Sequence, residues 1–228
     1  MAKILVADDE QLIRKLISDC LSKDGHQILE AEDGLQALSL FRSNKDINLC
    51  ILDIMMPEID GWGVCRKIRE TSGVPIMLVS ARSQDFDQIM GFESGADDYV
   101  TKPFSLVVLS KRVNTLLQRG AVQTPKNPDR IEIYELNSLI VDCSAHEVRL
   151  NNKVVDFTIK EFEIIKMLAM HPGRVYSRER LVNEVWGDDF DGVARTVDSH
   201  IARIRTKLGE WGANHLITVY GTGYKFEE

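Results

Sequence analysis

Polar residues with chemical potential stand at the ends of short apolar, β-branched runs in the first half of the chain. Asp8-Asp9 follow the run 4–7, Asp53 follows 49–52, Ser80 follows 76–79, and Lys102-Pro103 follow 99–101. In an open parallel sheet, ligands collect at the carboxyl ends of the strands, near the point where strand order reverses. Strand ends therefore deliver the carboxylates of Asp8, Asp9 and Asp53, the Ser80 hydroxyl and the Lys102 ammonium to one edge. Clustered carboxylates repel unless a cation intervenes, and hard oxygen ligands in an incomplete cage suit Mg²⁺, which keeps water and accepts a phosphoryl oxygen. The chemistry this predicts is phosphoryl transfer to Asp53, whose carboxylate attacks phosphorus while a metal neutralises the developing charge. Lys102 then pairs with one phosphoryl oxygen and Ser80 donates a hydrogen bond to another. Each residue also has a plainer reading as a turn former, a surface Lys-Pro or a helix cap. Their joint placement is what favours chemistry.

The elements that must position them are legible as a rhythm. Strand-like runs at 4–7, 27–31, 49–52, 76–79 and 99–101 alternate with amphipathic stretches at 12–23, 35–41, 62–70, 87–93 and 106–118. Such β–α alternation predicts a five-stranded doubly wound parallel sheet of flavodoxin-like type, with helices on both faces, over residues 1–119. Residues 120–129, with prolines at 125 and 128 and no apolar period, break the rhythm, and 120–128 is the expected linker. Beyond it, runs at 131–134, 139–142, 147–150 and 154–157, with Asn151-Asn152 at a turn position, predict a small antiparallel sheet. Three helices follow: one opened by the capping-box pattern Thr158-Ile159-Lys160-Glu161, one over 178–185 capped by Ser177, and one over 194–208 ending at Gly209. Runs at 216–220 and 224–227 around Gly221-Thr222-Gly223 form a terminal hairpin. The second domain, 129–228, is thus an α+β winged helix-turn-helix with an N-terminal antiparallel sheet.

Composition bounds the function. The chain has 228 residues, 44% hydrophobic and 28% charged, which fits two globular domains. No stretch reaches the roughly 18 apolar residues of a membrane span, and the run 4–7 is too short for a signal peptide, so a cytoplasmic location without membrane attachment is expected. Cys20, Cys50, Cys65 and Cys143 form no C-x-x-C pair and read as reduced thiols. The net charge of -7 argues against a broadly basic nucleic-acid surface. Residues 1–119 carry 14 basic and 18 acidic side chains and the remainder 14 and 17, so a DNA-binding case has to rest on local placement.

The helix 193–208 supplies that placement. At 100° per residue from Ser199, Val197, Ile201, Ile204 and Leu208 fall within roughly 140–200°, an apolar stripe for packing. Arg195, Ser199, Ala202, Arg203 and Thr206 fall within about 60° of zero, so the opposite face is small, polar and basic. Arg195, Arg203, Arg205 and Lys207 stand against the single acid Asp198. A solvated surface helix has the same amphipathic pattern. A preceding helix and a glycine-rich hairpin suited to a phosphate backbone tip the reading towards major-groove insertion.

As an ordered set, Asp8-Asp9, Asp53-Ile-Met-Met-Pro57, Asp60-Gly61, Ser80-Ala81, Gly95-Ala-Asp-Asp-Tyr99 and Lys102-Pro103-Phe104 resemble the receiver domains of two-component response regulators across residues 1–119. From about Asp129 onward, Arg195-Thr-Val-Asp-Ser-His200 and Gly221-Thr-Gly-Tyr-Lys225 resemble the winged-helix effector domains of the OmpR/PhoB family. The resemblance implies a transcription regulator in which Asp53 is the phosphoacceptor for a sensor histidine kinase. It further implies that Asp9, Asp53 and the Met55 backbone carbonyl ligate Mg²⁺, with Asp8 helping through water. Ser80 and Tyr99 are then the switch pair, the ring turning inward behind the hydroxyl. No turnover of an external substrate is implied.

By the same likeness, activation creates a homodimer through the last two receiver helices and the strand between them. Gln88 and Val108 stand where the family usually has an ion pair, and Asp97 and Arg112 where it has a second. In the effector, Arg203, Ser199 and Ala202 are expected to face bases, and Arg195, Thr196, His200 and Arg205 to meet phosphates. Tyr220, Thr222 and Lys225 are expected on the wing, and the loop 187–192 to contact RNA polymerase. Tyr220 replaces a family arginine, leaving stacking, a hydroxyl–phosphate contact or packing as its role.

Aspartyl-phosphate phosphohydrolases of the haloacid-dehalogenase pattern need a second aspartate two residues after the nucleophile, where this chain has Met55. A constitutive DNA-binding protein with a merely dimerising receiver is disfavoured by the complete Asp8, Asp9, Asp53, Ser80 and Lys102 set and favoured by the altered Gln88/Val108 pair. Its sign is promoter binding indifferent to Asp53→Ala.

Overall fold

In a computed structural model the chain forms two compact units, Met1–Ala121 and Val122–Glu228. The structure describes residues 1–81, 90–120, 132–187, 190 and 194–227. The predicted linker from residue 121 onward therefore lies outside the described residues, as do Gln88 and most of the loop 187–192.

The first unit is built on strands β1 (Lys3–Ala7), β2 (Gln27–Ala31), β3 (Leu49–Asp53), β4 (Ile76–Ser80) and β5 (Asp98–Thr101). All neighbours are parallel and the order is β2-β1-β3-β4-β5. Strand order reverses between β1 and β3, which fixes the ligand crevice at their carboxyl ends. Every residue of β3 and β4 is buried, as central parallel strands covered on both faces require. Helices α1 (Gln11–Lys23) and α4 (Leu106–Gly120) cover one face, setting Ile17, Leu21, Leu109 and Val113 against Ile4, Val6, Ile51 and Val79. Each such fully buried aliphatic side chain contributes roughly 1.5–3 kcal/mol. Helices α2 (Gly34–Ser43) and α3 (Gly61–Arg69) bury Ala37, Leu38, Val64, Cys65 and Ile68. Of the predicted helix 87–93, residues 90–93 are described and helical.

Two close backbone approaches hold the loop that follows β3. A Cβ at Gly61 would lie 2.3 Å from the Asp53 carbonyl oxygen, and one at Gly34 would lie 2.0 Å from that of Ile59. Asp60 caps α3 by accepting from the Gly63 amide at 2.6 Å. The pair Asp60-Gly61 is thus a capping and packing device that presses the chain against the end of β3.

The second unit opens with an antiparallel meander, β6 (Ile133–Leu136), β7 (Leu139–Asp142), β8 (Glu147–Leu150) and β9 (Lys153–Val155). Asn151 and Asn152 both have positive φ, 51° and 62°, the backbone that a tight β8–β9 turn demands. Helix α5 (Ile159–Met170) starts from a complete capping box between Thr158 and Glu161. Ser177 caps α6 (Arg178–Trp186) by accepting from the Arg180 amide at 3.2 Å. Helix α7 (Thr196–His215) buries Val197, Ile201, Ile204 and Leu208 against Phe162, Ile165, Leu181, Val185 and Phe226, so the apolar stripe read at 100° per residue is the packed face. Gly209 (φ 58°, ψ −133°) breaks the helical backbone and ends the first helical stretch of this element, as the sequence predicts; a second helical stretch runs on to His215. The apolar Trp211, 9% exposed, gives this added turn a reason to pack down.

The hairpin of β11 (Leu216–Val219) and β12 (Gly223–Phe226) gains a third strand, β10 (Tyr176–Ser177), too short to leave a pattern in the sequence. A Cβ at Gly223 would lie 1.9 Å from the Tyr176 carbonyl oxygen, so this glycine is needed for β10 and β12 to approach.

Candidate phosphoryl site and nucleic-acid interface

At the carboxyl edge of the sheet, Asp8 and Asp53 are 1% and 2% exposed and Ser80 is fully buried. The Lys102 ammonium bridges the two carboxylates, 2.9 Å from Asp8 Oδ2 and 2.7 Å from Asp53 Oδ1. It lies also 3.2 Å from Glu10, a neighbour that sequence reasoning did not single out. The Met55 amide donates to Asp53 Oδ2 at 2.6 Å and the Glu10 amide to Asp8 Oδ1 at 2.9 Å, so backbone groups orient both carboxylates. Lys102 is itself placed by its own amide, which donates to the Ser80 carbonyl at 2.6 Å. The Lys102-Pro103 peptide is cis.

The electrostatics show an imbalance. Burial pushes the Asp8 carboxyl above the ordinary carboxylate range; the Lys102 hydrogen bond pulls it back and the Asp53 charge pushes it up again. Burial alone would weaken the Lys102 ammonium, but hydrogen bonds to Asp53 and Asp8 outweigh it and hold the amine protonated well above its usual range. Two buried carboxylates thus share one ammonium. That donor set suits a hard divalent cation, which would relieve the surplus negative charge. Asp9 is exposed at the rim, and among the described residues no group of three His, Cys, Asp or Glu side chains stands assembled around an ion position. Met55 is 53% exposed beside the site.

Tyr99 is 5% exposed, its ring 6.4 Å from that of Phe92, so it lies inside the fold. A Cβ at Gly91 would come within 3.0 Å of that ring, which explains the missing side chain there.

On the expected dimer face the structure corrects one residue. Asp97 is 1% exposed and accepts from Arg69 and from the Ile76 amide, because it sits at the buried entrance to β5. Its neighbour Asp98 pairs with Arg112 at 3.0 Å within the same chain. Val108 is 41% exposed on α4, and Gln88 lies outside the described residues.

The recognition helix shows a similar sorting of surface from scaffold. Arg195, Ala202 and Thr206 are exposed, and Ser199 is half-buried beside them. Tyr220 is 92% exposed at the hairpin tip, which removes packing from its possible roles; Thr222 is exposed with it. Lys225 is engaged with Glu227 at 2.8 Å. Four expected contacts are buried or engaged inside the fold. Thr196 and His200 are fully buried, the His200 ring edge-on to Trp186 at 5.0 Å with Nδ1 3.1 Å from the Thr196 carbonyl, so neither side chain lies on the surface. Arg205 donates to the Leu216 carbonyl and to Thr218 Oγ1, bracing β11. Arg203 pairs at 3.1 Å with Glu161, which also takes Lys207 at 2.7 Å.

A cluster that sequence reasoning missed fixes helix to wing. Tyr224 donates to Asp198 Oδ1 at 2.7 Å, Arg178 donates to the same oxygen at 2.8 Å, and Arg178 reaches the Tyr224 hydroxyl at 3.2 Å. Burial, with help from the Asp198 hydrogen bond, pushes the Tyr224 phenol up to about 12. These residues lie on three separate elements, so no local spacing announces them.

With both halves described, the class follows: residues 4–114 match the response regulator receiver domain and residues 152–226 match the transcriptional regulatory protein C-terminal domain, which makes this a two-component response regulator acting as a transcription factor. More particularly, the chain belongs to the OmpR/PhoB family of response regulators. It is 42% identical over 232 residues to the transcriptional regulatory protein ResD of Bacillus subtilis, covering 99% of this chain and 95% of ResD. It is 41% identical over 230 residues to SrrA of Staphylococcus aureus, at the same coverage of 99% and 95%. Among solved structures, the response regulator DrrB of Thermotoga maritima, described as an OmpR/PhoB homologue, is 33% identical and aligns over the whole of both chains with a TM-score of 0.50. No helix among the described residues is long and apolar enough to cross a membrane.

Proposed function

We propose that Asp53 is the phosphoacceptor of a switch that controls promoter binding in the cytoplasm. The observation that carries this reading is the Lys102 ammonium held between the buried carboxylates of Asp8 and Asp53. An Asp53 oxygen attacks phosphorus of a kinase phosphohistidine; the P–N bond breaks and its electron pair returns to the imidazole, leaving an acyl phosphate on Asp53. Lys102 moves from carboxylate to phosphoryl oxygen, and Ser80 donates to another. Asp8, Asp9, Asp53 and the Met55 carbonyl would hold Mg²⁺, which supplies charge neutralisation for the transferring group. The chemistry is self-modification, with no external substrate turned over.

Phosphorylation then favours a dimerising state of the receiver, a population shift paid for by better contacts around the phosphoryl group. In the effector, Arg195, Ser199 and Ala202 face the duplex and the hairpin tip at Tyr220 and Thr222 lies along the backbone. The loop 187–192 meets RNA polymerase. The test is intact-mass measurement after incubation with acetyl phosphate and Mg²⁺. Wild type gains one phosphoryl group and Asp53→Asn gains none; equal labelling of both proteins moves the acceptor elsewhere.

A further inference from the structure

We propose that Glu161 is a specificity-determining residue of the DNA-binding unit: its buried carboxylate holds Arg203 and Lys207 away from the phosphate backbone, leaving Arg195 and small side chains to meet the duplex. This rests on the DNA-binding reading above.

Glu161 is fully buried, yet its carboxylate accepts three donors: the Thr158 amide at 2.9 Å, Arg203 at 3.1 Å and Lys207 at 2.7 Å. It is the third residue of α5, where the helix dipole and the capping box favour a negative charge. Arg203 and Lys207 are one turn apart and occupy one flank of the α7 recognition face, roughly 40° and 80° from Ser199. Their side chains are 24% and 33% exposed, so they reach the surface while remaining bound from within. The other flank is tied too, since Arg205 donates to the Leu216 carbonyl and Thr218.

A desolvated carboxylate loses much when a partner leaves, whereas a phosphate met across solvent offers a screened attraction. The internal tie therefore prevails in sequence-independent encounters. Non-specific affinity comes almost wholly from phosphate contacts and counterion release, so withholding two cations lowers it more than it lowers binding to the cognate site.

The test is a salt titration of the full-length protein on a short random-sequence duplex and on the upstream region of its own gene, read by fluorescence anisotropy. Glu161→Gln keeps a capping-box side chain and removes the charge. The inference predicts that the slope of log affinity against log salt steepens by about one to two for this variant, and that random-duplex affinity at low salt rises about tenfold. An unchanged slope overturns it. Lys207→Ala gives an independent arm: in the wild-type background the slope stays the same, and in the Glu161→Gln background it falls back by about one. A fall of about one in the wild-type background overturns the inference even if Glu161→Gln folds poorly. Absence of wild-type binding to either duplex overturns the DNA-binding reading and this inference together.

Discussion

The two units carry inverted charge arrangements. In the receiver crevice two buried carboxylates, Asp8 and Asp53, share one ammonium from Lys102; beside the recognition helix one buried carboxylate, Glu161, shares the cations of Arg203 and Lys207. The first surplus is negative; the second is positive, on side chains that still reach the surface. In each case a minority charge holds the majority in register. A formal charge of -7 is therefore no guide to partners, because the decisive charges are local and partly neutralised inside the fold.

The largest effect is expected where both units depend on an approach without a side chain. Gly223→Ala puts a Cβ against the Tyr176 carbonyl and Gly61→Ala one against that of Asp53, so each is predicted to cost about 3 kcal/mol or more, in the effector and the receiver transition respectively. Differential scanning calorimetry, resolving one transition per unit, checks which one moves. Next, Glu161→Leu removes the minority charge and the acceptor of the Thr158 amide, and is expected to destabilise the effector by about 2–3 kcal/mol in denaturant melts.

A change in the majority charge of the receiver should have the opposite sign. Asp8→Asn removes the burial penalty of a carboxylate and, with it, the repulsion from Asp53, which together outweigh the lost Lys102 pairing; it is predicted to stabilise the receiver by about 1 kcal/mol in chelator, a gain that disappears when Mg²⁺ is added. The smallest effect is at Tyr224. Its folded pKa of about 12 stands above the ordinary 10.0, so the folded state holds the proton more tightly; stability is retained below pH 10 and falls as pH rises from about 10 to about 12. Tyr224→Phe should flatten that alkaline loss and cost about 1 kcal/mol at neutral pH, read from effector melts across the pH range.

The crevice was legible in the sequence because parallel-sheet topology does the work: each strand end is local, and the sheet brings them to one edge. Asp8, Asp53, Ser80 and Lys102 needed no knowledge of distant contacts. The apolar stripe of α7 was legible for the same reason, since Val197, Ile201, Ile204 and Leu208 follow one helical period. What the period omits is the partner across the gap. Arg203 lies on the polar face by angle, yet Glu161 claims it from a helix 42 residues away in sequence. His200 lies at the edge of that face, and Trp186 covers it. Asp97 and Asp98 differ by one step of strand alternation, enough to send one carboxylate to Arg69 and the next to Arg112. Gly209 is legible as a terminator from its own residue type; the helical stretch beyond it, which buries Trp211, is not.

The most direct test of the account is binding to the upstream region of the protein's own gene, with and without Mg²⁺ and acetyl phosphate, for wild type and Asp53→Asn. Wild type is expected to tighten at least about tenfold with the donor, and the variant not at all. Binding that is equally tight for both proteins and indifferent to the donor would contradict it.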